Sequence, residues 1–286
     1  MTEIQSIQKK KKSFSSKKKF IIIGILLLVL ILLFAWGFLL KTEKYKIKSN
    51  KIDKELKIVF ISDLHNCFFG GTDQSGLKKE IEKAEPDILI FGGDVIDEWG
   101  GTKHALNLMK WAVKKYPCIY VPGNHEEERD DNEEFYKEVK SLGLELPMNE
   151  KYFQLDVHGQ PIRIYGILES KYSYHMEKQC GPLENDYYNI LIAHQPEQIA
   201  NYLSTSETKF DLILSGHAHA GQWRIPGILD QGLYAPDQGL FPEYTHGMYT
   251  YGDTVHIISR GLAKPLRMIF IPRIFNRPEL SVIEIT

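Results

Sequence analysis

The sequence of 286 residues is poor in cysteine, with only Cys67, Cys118 and Cys180. None of the three has the paired spacing of a disulfide framework or of a thiolate zinc cluster, so both classes are excluded and we expect free thiols. Internal repeats are also missing, and low-complexity sequence is confined to the lysine-rich N-terminus. The roughly 240 residues that follow the N-terminal 40 or so are sufficient for one sizeable domain with its own core.

Charge is missing altogether from the 21 residues between Phe20 and Leu40. A helix rises roughly 1.5 Å per residue, so this run would be about 31 Å long, close to the roughly 30 Å of a bilayer's hydrocarbon core. The run has neither the polar face of a core helix nor a clear Ala-x-Ala cleavage site. We therefore predict a single transmembrane helix over 20–40, after a basic and disordered N-terminus over 1–19.

Positive charge is scarce beyond the first 50 residues. Residues 1–50 contain eleven lysines and two acidic residues, whereas residues 51–286 have a net charge of −11. The negative charge of residues 51–286 argues against a binding surface for long nucleic acids, whereas the basic residues 1–50 suit contact with anionic lipid head groups. Lysines flank the predicted span on both sides, so the positive-inside rule favours only weakly an extracytoplasmic catalytic domain at the cell membrane. Acidic residues that merely keep the domain soluble would give the same balance.

Short apolar runs bounded by turn residues predict buried strands at 56–61, 87–91, 118–121, 189–193 and 211–214. Helix-like segments separate the first three, which indicates a β-α-β-α-β alternation. Later segments alternate without helices and predict a second, more antiparallel sheet; they are "QPIRIYGI", "GMYTYGDTVHIISRG" and "LSVIEIT". We expect an α/β fold, a two-sheet αββα sandwich over 55–286, joined to the transmembrane helix by a juxtamembrane linker or first strand over 41–54.

Side chains able to bind metals follow all five of these strands. In an open α/β sheet the carboxyl ends of the strands meet at one crevice, so these side chains can converge. Residues two apart in extended chain point to the same side, which lets both histidines of "GHAH" aim at one point. Taken alone, that pair would favour structural histidines over metal ligands. The residues concerned are Asp63, His65, Asp94, Asp97, Asn124, His125, His194, His217 and His219.

The ligand types in this group are carboxylate, imidazole and one amide, without thiolate. Such a mixture suits divalent Mn, Fe or Zn. Even seven of these nine side chains would exceed the needs of one tetrahedral ion and would suit two ions that share a carboxylate, roughly 3.5–4 Å apart. That arrangement is typical of sites that clamp a phosphoryl group.

In their order and spacing, "DLH", "GDVID", "GNHE", "AHQP" and "GHAH" resemble the calcineurin-like metallophosphoesterase superfamily. The segments "GHAHAGQWRIP", "SRGL" and "NRPEL" are similar to the membrane-anchored bacterial phosphoesterases of the YkuE and YaeI type. The resemblance implies two divalent metal ions: one held by Asp63, His65 and His219, the other by Asn124, His194 and His217, with Asp94 bridging both. It also implies that His125 is the catalytic histidine and that Asp97 orients it, while metal-bound hydroxide attacks phosphorus.

One position departs from the superfamily's protein serine/threonine phosphatases, which carry a phosphate-gripping arginine after the second motif. Here Glu98 occupies that position, which argues against phosphoprotein substrates. Arg224, Arg260 or Lys264 could supply a substrate-binding cation instead, although exposed cations are usually only solvated. His246 lies in an aromatic-rich loop that could line a substrate pocket or merely cover a sheet edge.

Together these features predict a membrane-anchored dinuclear-metal phosphoesterase that hydrolyses phosphodiesters or phosphomonoesters, of which we favour the diesters. Only about 23 residues separate Leu40 from Asp63, which suggests a lipid-linked or nucleotide-linked envelope substrate. Two alternatives stay open: a nuclease or cyclic-nucleotide phosphodiesterase, and an inactive membrane-anchored protein that binds metal or phosphate. The acidic domain argues against the nuclease, and the intact ligand set argues against the inactive protein.

Overall fold

The computed structural model describes residues 18–29, 31–32, 35, 37–149, 151–168, 176–204, 209–265 and 273–286. In these ranges, two mixed β-sheets pack face to face with helices on their outer faces. The strands are β1 (Lys41–Ile47), β2 (Leu56–Ile61), β3 (Ile88–Gly92), β4 (Cys118–Val121), β5 (Phe153–Val157), β6 (Gln160–Ile167), β7 (Tyr188–Ala193), β8 (Leu212–Ser215), β9 (Tyr234–Ala235), β10 (Gly239–Leu240), β11 (Gly247–Tyr251), β12 (Thr254–Ile258) and β13 (Glu279–Ile285). The helices are Ser75–Ala84, Lys103–Ala112, Asn124–Glu127, Asn132–Ser141, Met176–Cys180 and Ile199–Tyr202.

The first sheet has the strand order β1-β13-β2-β3-β4. Strands β2, β3 and β4 run parallel, and β13 is antiparallel to β2 and parallel to β1. The crossovers between β2, β3 and β4 contain Ser75–Ala84 and Lys103–Ala112, which confirms the β-α-β-α-β alternation. Both helices form because their apolar residues recur on one face, as Leu77 and Ile81 do, and that face is buried against the sheet.

The second sheet has the order β11-β12-β8-β7-β6-β5. Its four central strands β6, β7, β8 and β12 are parallel, and only the edge strands β5 and β11 are antiparallel. The second sheet is thus more antiparallel than the first, as predicted, but its centre is parallel. It was wrong to place "LSVIEIT" in this sheet, because the segment forms most of β13 in the first sheet.

The core has three layers. Between the sheets lie branched aliphatic side chains from both of them, such as Ile58, Ile190 and Ile283, all of which are fully buried. A second cluster fills the space between the first sheet and its helices, and a third covers the outer face of β6, β7 and β8. These layers confirm the predicted αββα sandwich.

Residues 18–29 are helical, and their side chains are exposed. In the described part of the chain, we find no helix with both the length and the apolar character required to cross a membrane. The predicted span over 20–40 includes residues outside the described ranges, and so does nearly all of the predicted disordered segment over 1–19. Residues 41–47, predicted as a linker or first strand, form β1 at the edge of the first sheet.

Candidate metal centre

The predicted metal ligands all lie beyond the carboxyl ends of strands, at one edge of the sandwich. Asp63 and His65 follow β2, and Asp94 follows β3. Asn124 begins the short helix after β4, whereas the predicted histidine ligands follow β7 and β8. Because β2, β3 and β4 are parallel in one sheet and β7 and β8 are parallel in the other, these ends can meet across the sandwich.

An unusual backbone conformation recurs among these ligands. The φ angles of five of them lie between 46° and 66°, in the left-handed region that non-glycine residues rarely adopt. Such strain persists only where surrounding structure enforces it, and it is concentrated at functional sites. The five residues are Asp63, His65, Asp94, His217 and His219.

The first group of ligand atoms comes from Asp63, His65 and His219, and its members lie within 4.8 Å of one another. His219 Nε2 is 3.9 Å from Asp63 Oδ1, and all three side chains are buried. Asp63 Oδ2 and His65 Nε2 have no hydrogen-bond partner among the described residues. A buried carboxylate oxygen and imidazole nitrogen in this state would be costly without a cation to bind.

The second group comes from Asp94, His194 and His217, also within 4.8 Å of one another. His194 Nε2 is 3.0 Å from Asp94 Oδ2. The amide of Asn124 joins this group, because its Oδ1 is 3.0 Å from His217 Nδ1. Gly93 (φ 91°) lies directly beneath the His194 ring, so a side chain there would collide with the imidazole.

Asp94 lies between the two groups. Its Oδ2 is 3.9 Å from His65 Nε2, 3.0 Å from His194 Nε2 and 3.8 Å from His125 Nε2. Burial alone would raise the pKa of this carboxyl, but the surrounding histidines hold its pKa well below its usual range. The position suits the bridging role that the resemblance implies for Asp94.

His194 has a strongly altered pKa. Burial lowers it, but Asp94 and Asp63 outweigh burial and raise the pKa to about 10. The protonated ring thus neutralises part of the buried negative charge. A divalent cation among these carboxylates would replace that proton.

Two adjacent carboxylates support different histidines. Asp97 Oδ1 is 2.6 Å from His65 Nδ1, and Glu98 Oε1 is 3.1 Å from His125 Nδ1. Asp97 still belongs to a cluster with His65 and His125 whose ligand atoms lie within 4.8 Å. Glu98 thus lies beside His125 as well, and the role of Asp97 in orienting that histidine stays a prediction.

A buried glutamate, Glu126, fixes the loop that carries Asp94. Its carboxylate accepts backbone N–H bonds from Asp94 (2.8 Å), Ile96 (3.0 Å) and Gly123 (2.8 Å). Burial and the nearby Asp94 charge raise its pKa to about 8. The sequence analysis assigned no role to this residue, although it is the last letter of "GNHE".

Two further contacts to predicted ligands were not foreseen. Asp237 Oδ2, from the connection between β8 and β11, lies 2.8 Å from His217 Nε2. The buried Arg273 places its Nη2 3.0 Å from His219 Nδ1 and also donates to the carbonyl of Arg260 (2.6 Å). Neither residue belongs to a recognisable motif, so only the folded chain reveals them.

The tentative substrate-binding residues all make contacts within the protein. Arg260 Nε is 3.1 Å from the buried Glu279 carboxylate, and the buried Arg224 donates through Nε to the carbonyl of Asp230 (2.7 Å). Burial and the two arginines lower the pKa of His246 to about 3, so its ring is neutral at pH 7. Lys264 Nζ lies over the Phe68 ring, 4.1 Å from its centroid. All four residues thus contact other parts of the protein, and their role in binding substrate stays a prediction.

The residues present suit two divalent cations. The donors are carboxylate, imidazole and amide groups in two adjoining clusters, and some of the buried atoms are unpaired. Carboxylates on the outer nitrogens of His65 and His217 would fix those rings, as is usual for metal-binding histidines.

Comparison with known proteins gives a consistent result. Residues 56–221 match the family model described as "Calcineurin-like phosphoesterase". An uncharacterized metallophosphoesterase of Helicobacter pylori is 30% identical over 241 residues, which cover 80% of this chain and 61% of that protein. The uncharacterized metallophosphoesterase YkuE of Bacillus subtilis is 27% identical, and the alignment covers 82% of this chain and 84% of that protein. A Bos taurus transmembrane protein with a metallophosphoesterase domain is 28% identical, and the alignment covers 72% of this chain and 51% of that protein. The chain thus spans about three fifths of the Helicobacter relative's length.

Proposed function

Because this chain belongs to the calcineurin-like phosphoesterase family, we propose that it is a metal-dependent hydrolase of phosphoric esters, with a preference for diesters. The observation that supports this most directly is the position of the Asp94 carboxylate. Histidines from three different loops surround it, namely His65, His125 and His194. When bound, two divalent cations would supply the positive charge that polarises a phosphoryl group and activates water.

We assign to His125 the protonation of the leaving group. Its Nε2 lies at the edge of the metal centre, 3.8 Å from Asp94 Oδ2, and its side chain is 22% exposed. Its Nδ1 lies 3.1 Å from Glu98 Oε1, so the carboxylate would stabilise positive charge on the ring. The cationic form can donate from Nε2 to a departing oxygen, which is the role of a general acid.

The preference for diesters follows from charge at the rim of the site. Glu98 lies beside His125 and Asp237 lies beside His217. Burial, followed by a hydrogen bond with Glu98 and the charge of Glu98, raises the pKa of the neighbouring Glu128. At neutral pH a phosphomonoester is a dianion, whereas a phosphodiester carries one negative charge. Acidic side chains therefore repel the monoester more strongly.

We further propose that the domain is anchored in the cell membrane through the uncharged run over 20–40 and lies on the extracytoplasmic side. The length of that run supports the anchor, and the slight excess of lysines before it over those after it supports the orientation. Its proximity to Asp63 in the chain favours a lipid-linked or nucleotide-linked envelope substrate. One relative's name includes the word transmembrane, which agrees with this proposal.

The test compares the full chain with His125→Ala and with a matched control, His158→Ala, in which the lost imidazole is far from the site. Each protein is loaded with Mn, Fe or Zn and assayed on a model diester, a model monoester, DNA and a cyclic nucleotide. We expect diester hydrolysis by the parent and the control, and a loss of about 100-fold or more in His125→Ala with bound metal unchanged. A parent protein that binds metal but hydrolyses none of the substrates would instead be a binding protein.

A further inference from the structure

The segment from Trp223 to Ile225 has an inverted burial pattern. Arg224 is 8% exposed and points inward, whereas its neighbours Trp223 and Ile225 are 40% and 47% exposed. Extended chain on a water-facing surface normally buries its apolar side chains and exposes its charged ones. The inversion indicates that the outer side of this segment meets an apolar environment.

Other exposed apolar side chains adjoin this segment. Trp223 pairs with Ile274 in an isolated parallel bridge, which places the two backbones side by side. Ile228 is 82% exposed in the turn that returns to Ile225. Phe241 is 69% exposed and has a φ of 57°, an unfavourable conformation for an aromatic residue. We call the following six residues the apolar rim: Trp223, Ile225, Ile228, Leu240, Phe241 and Ile274.

Hydrogen bonds connect the apolar rim with the metal centre. Asn276 Nδ2 donates to the carbonyl of His219 at 2.7 Å and to that of Gln222 at 3.2 Å. Arg273, one residue before Ile274, contacts His219 Nδ1. The rim therefore lies at the same edge of the sandwich as the predicted ligands.

The uncharged N-terminal run reaches the domain at this edge too. Arg277 donates to the carbonyls of Leu39 (2.8 Å) and Leu40 (2.6 Å), only three residues after Ile274. Strand β1 begins directly afterwards and runs parallel to β13, which is antiparallel to β2. The start of β1 is therefore at the carboxyl end of β2, where Asp63 lies.

From these observations we propose that the apolar rim inserts into the surface of a lipid bilayer and holds the metal centre beside the lipid head groups. Single large apolar side chains on separate loops, with a tryptophan among them, are typical of interfacial insertion. A bilayer is the occupant we infer, because Leu39 and Leu40, which end the uncharged run, are held by Arg277 close to Ile274 in the chain. This choice rests on the membrane anchor proposed above, and its consequence for substrate choice, a phosphoester embedded in the membrane surface, rests on the proposed activity.

The experiment measures insertion directly and does not depend on activity. In full-length protein reconstituted into vesicles of phosphatidylethanolamine and phosphatidylglycerol, Ile228→Cys is labelled with an environment-sensitive fluorophore. The matched control is Asp253→Cys, an exposed site in the turn before β12, at the opposite edge of the sandwich. The fluorescence of label attached to the native cysteines is measured with the labelled parent protein and subtracted.

We expect the label at position 228, but not at 253, to show blue-shifted emission and strong quenching by lipids that carry a quencher in their acyl chains. Equal and weak quenching at both positions would overturn the proposal. A blue shift at 228 without quenching by the lipid would indicate burial against a second copy or another protein, and would also overturn it. Absence of hydrolysis in any assay would contradict the proposed function and leave this result unchanged.

Discussion

At the scale of single residues, the convergence of the candidate ligands could be predicted because they belong to compact motifs with a fixed spacing. Which histidine each of Asp97 and Glu98 lies beside could not be predicted, because side-chain packing decides that pairing. The structure places Asp97 beside His65 and Glu98 beside His125.

Substitution of each carboxylate separates the two roles. We expect Glu98→Gln to lower kcat by about tenfold and to shift the pH profile of kcat, with bound metal unchanged, because the Gln cannot stabilise a charged His125. Asp97→Asn should weaken metal binding by about 10-fold to 100-fold, since it perturbs His65. Titration of metal into each variant, together with pH–rate profiles, measures both effects. Loss of metal in Glu98→Gln and not in Asp97→Asn would reverse the assignment.

At the scale of elements, the positions of the strands along the chain were predicted more reliably than the pairing of the strands within the sheets. The apolar runs of β2 and β4 are bounded so clearly that their ends were predicted correctly. The alternation of "LSVIEIT" indicates a strand, but it contains no information about the partner strand. Its place between β1 and β2 depends on pairings far apart in the sequence.

The connection between β8 and β11 illustrates the same limit for the site. This connection brings Asp237 to His217 Nε2, on the side opposite to the Nδ1 that faces Asn124. A carboxylate on the outer nitrogen of a metal-binding histidine fixes the ring and strengthens it as a ligand. No spacing rule predicts such a contact from a loop of this length.

We therefore predict that Asp237→Asn binds metal about 10-fold to 100-fold more weakly than the parent. Asp253→Asn removes an exposed aspartate at the other edge of the sandwich and serves as the matched control for lost negative charge. Calorimetric titration of the metal-free proteins with Mn²⁺ measures the difference. If both variants weaken binding equally, the effect is long-range electrostatics, and Asp237 has no specific role toward His217.

At the scale of the whole molecule, the buried charges of the metal centre link stability to pH. His194 has a pKa raised to about 10, and Glu126 has a pKa raised to about 8, so the folded chain without metal favours their protonated forms. For His194 the stabilisation is complete below its unfolded pKa of about 6.5 and is lost as pH rises towards 10. Glu126 acts in the same direction between about pH 4.5 and pH 8.

We accordingly expect the Tm of protein treated with a chelator to fall as the pH rises from about 6 to about 9. With saturating Mn²⁺ the trend should weaken or reverse, because the cation competes with the proton at His194 and binds better at higher pH. Thermal unfolding of both forms across this range measures the two slopes. His194→Gln provides the control, since its metal-free form should lose the part of the slope that His194 contributes. A metal-free Tm that rises across this range would show that neither buried group holds its proton in the folded chain.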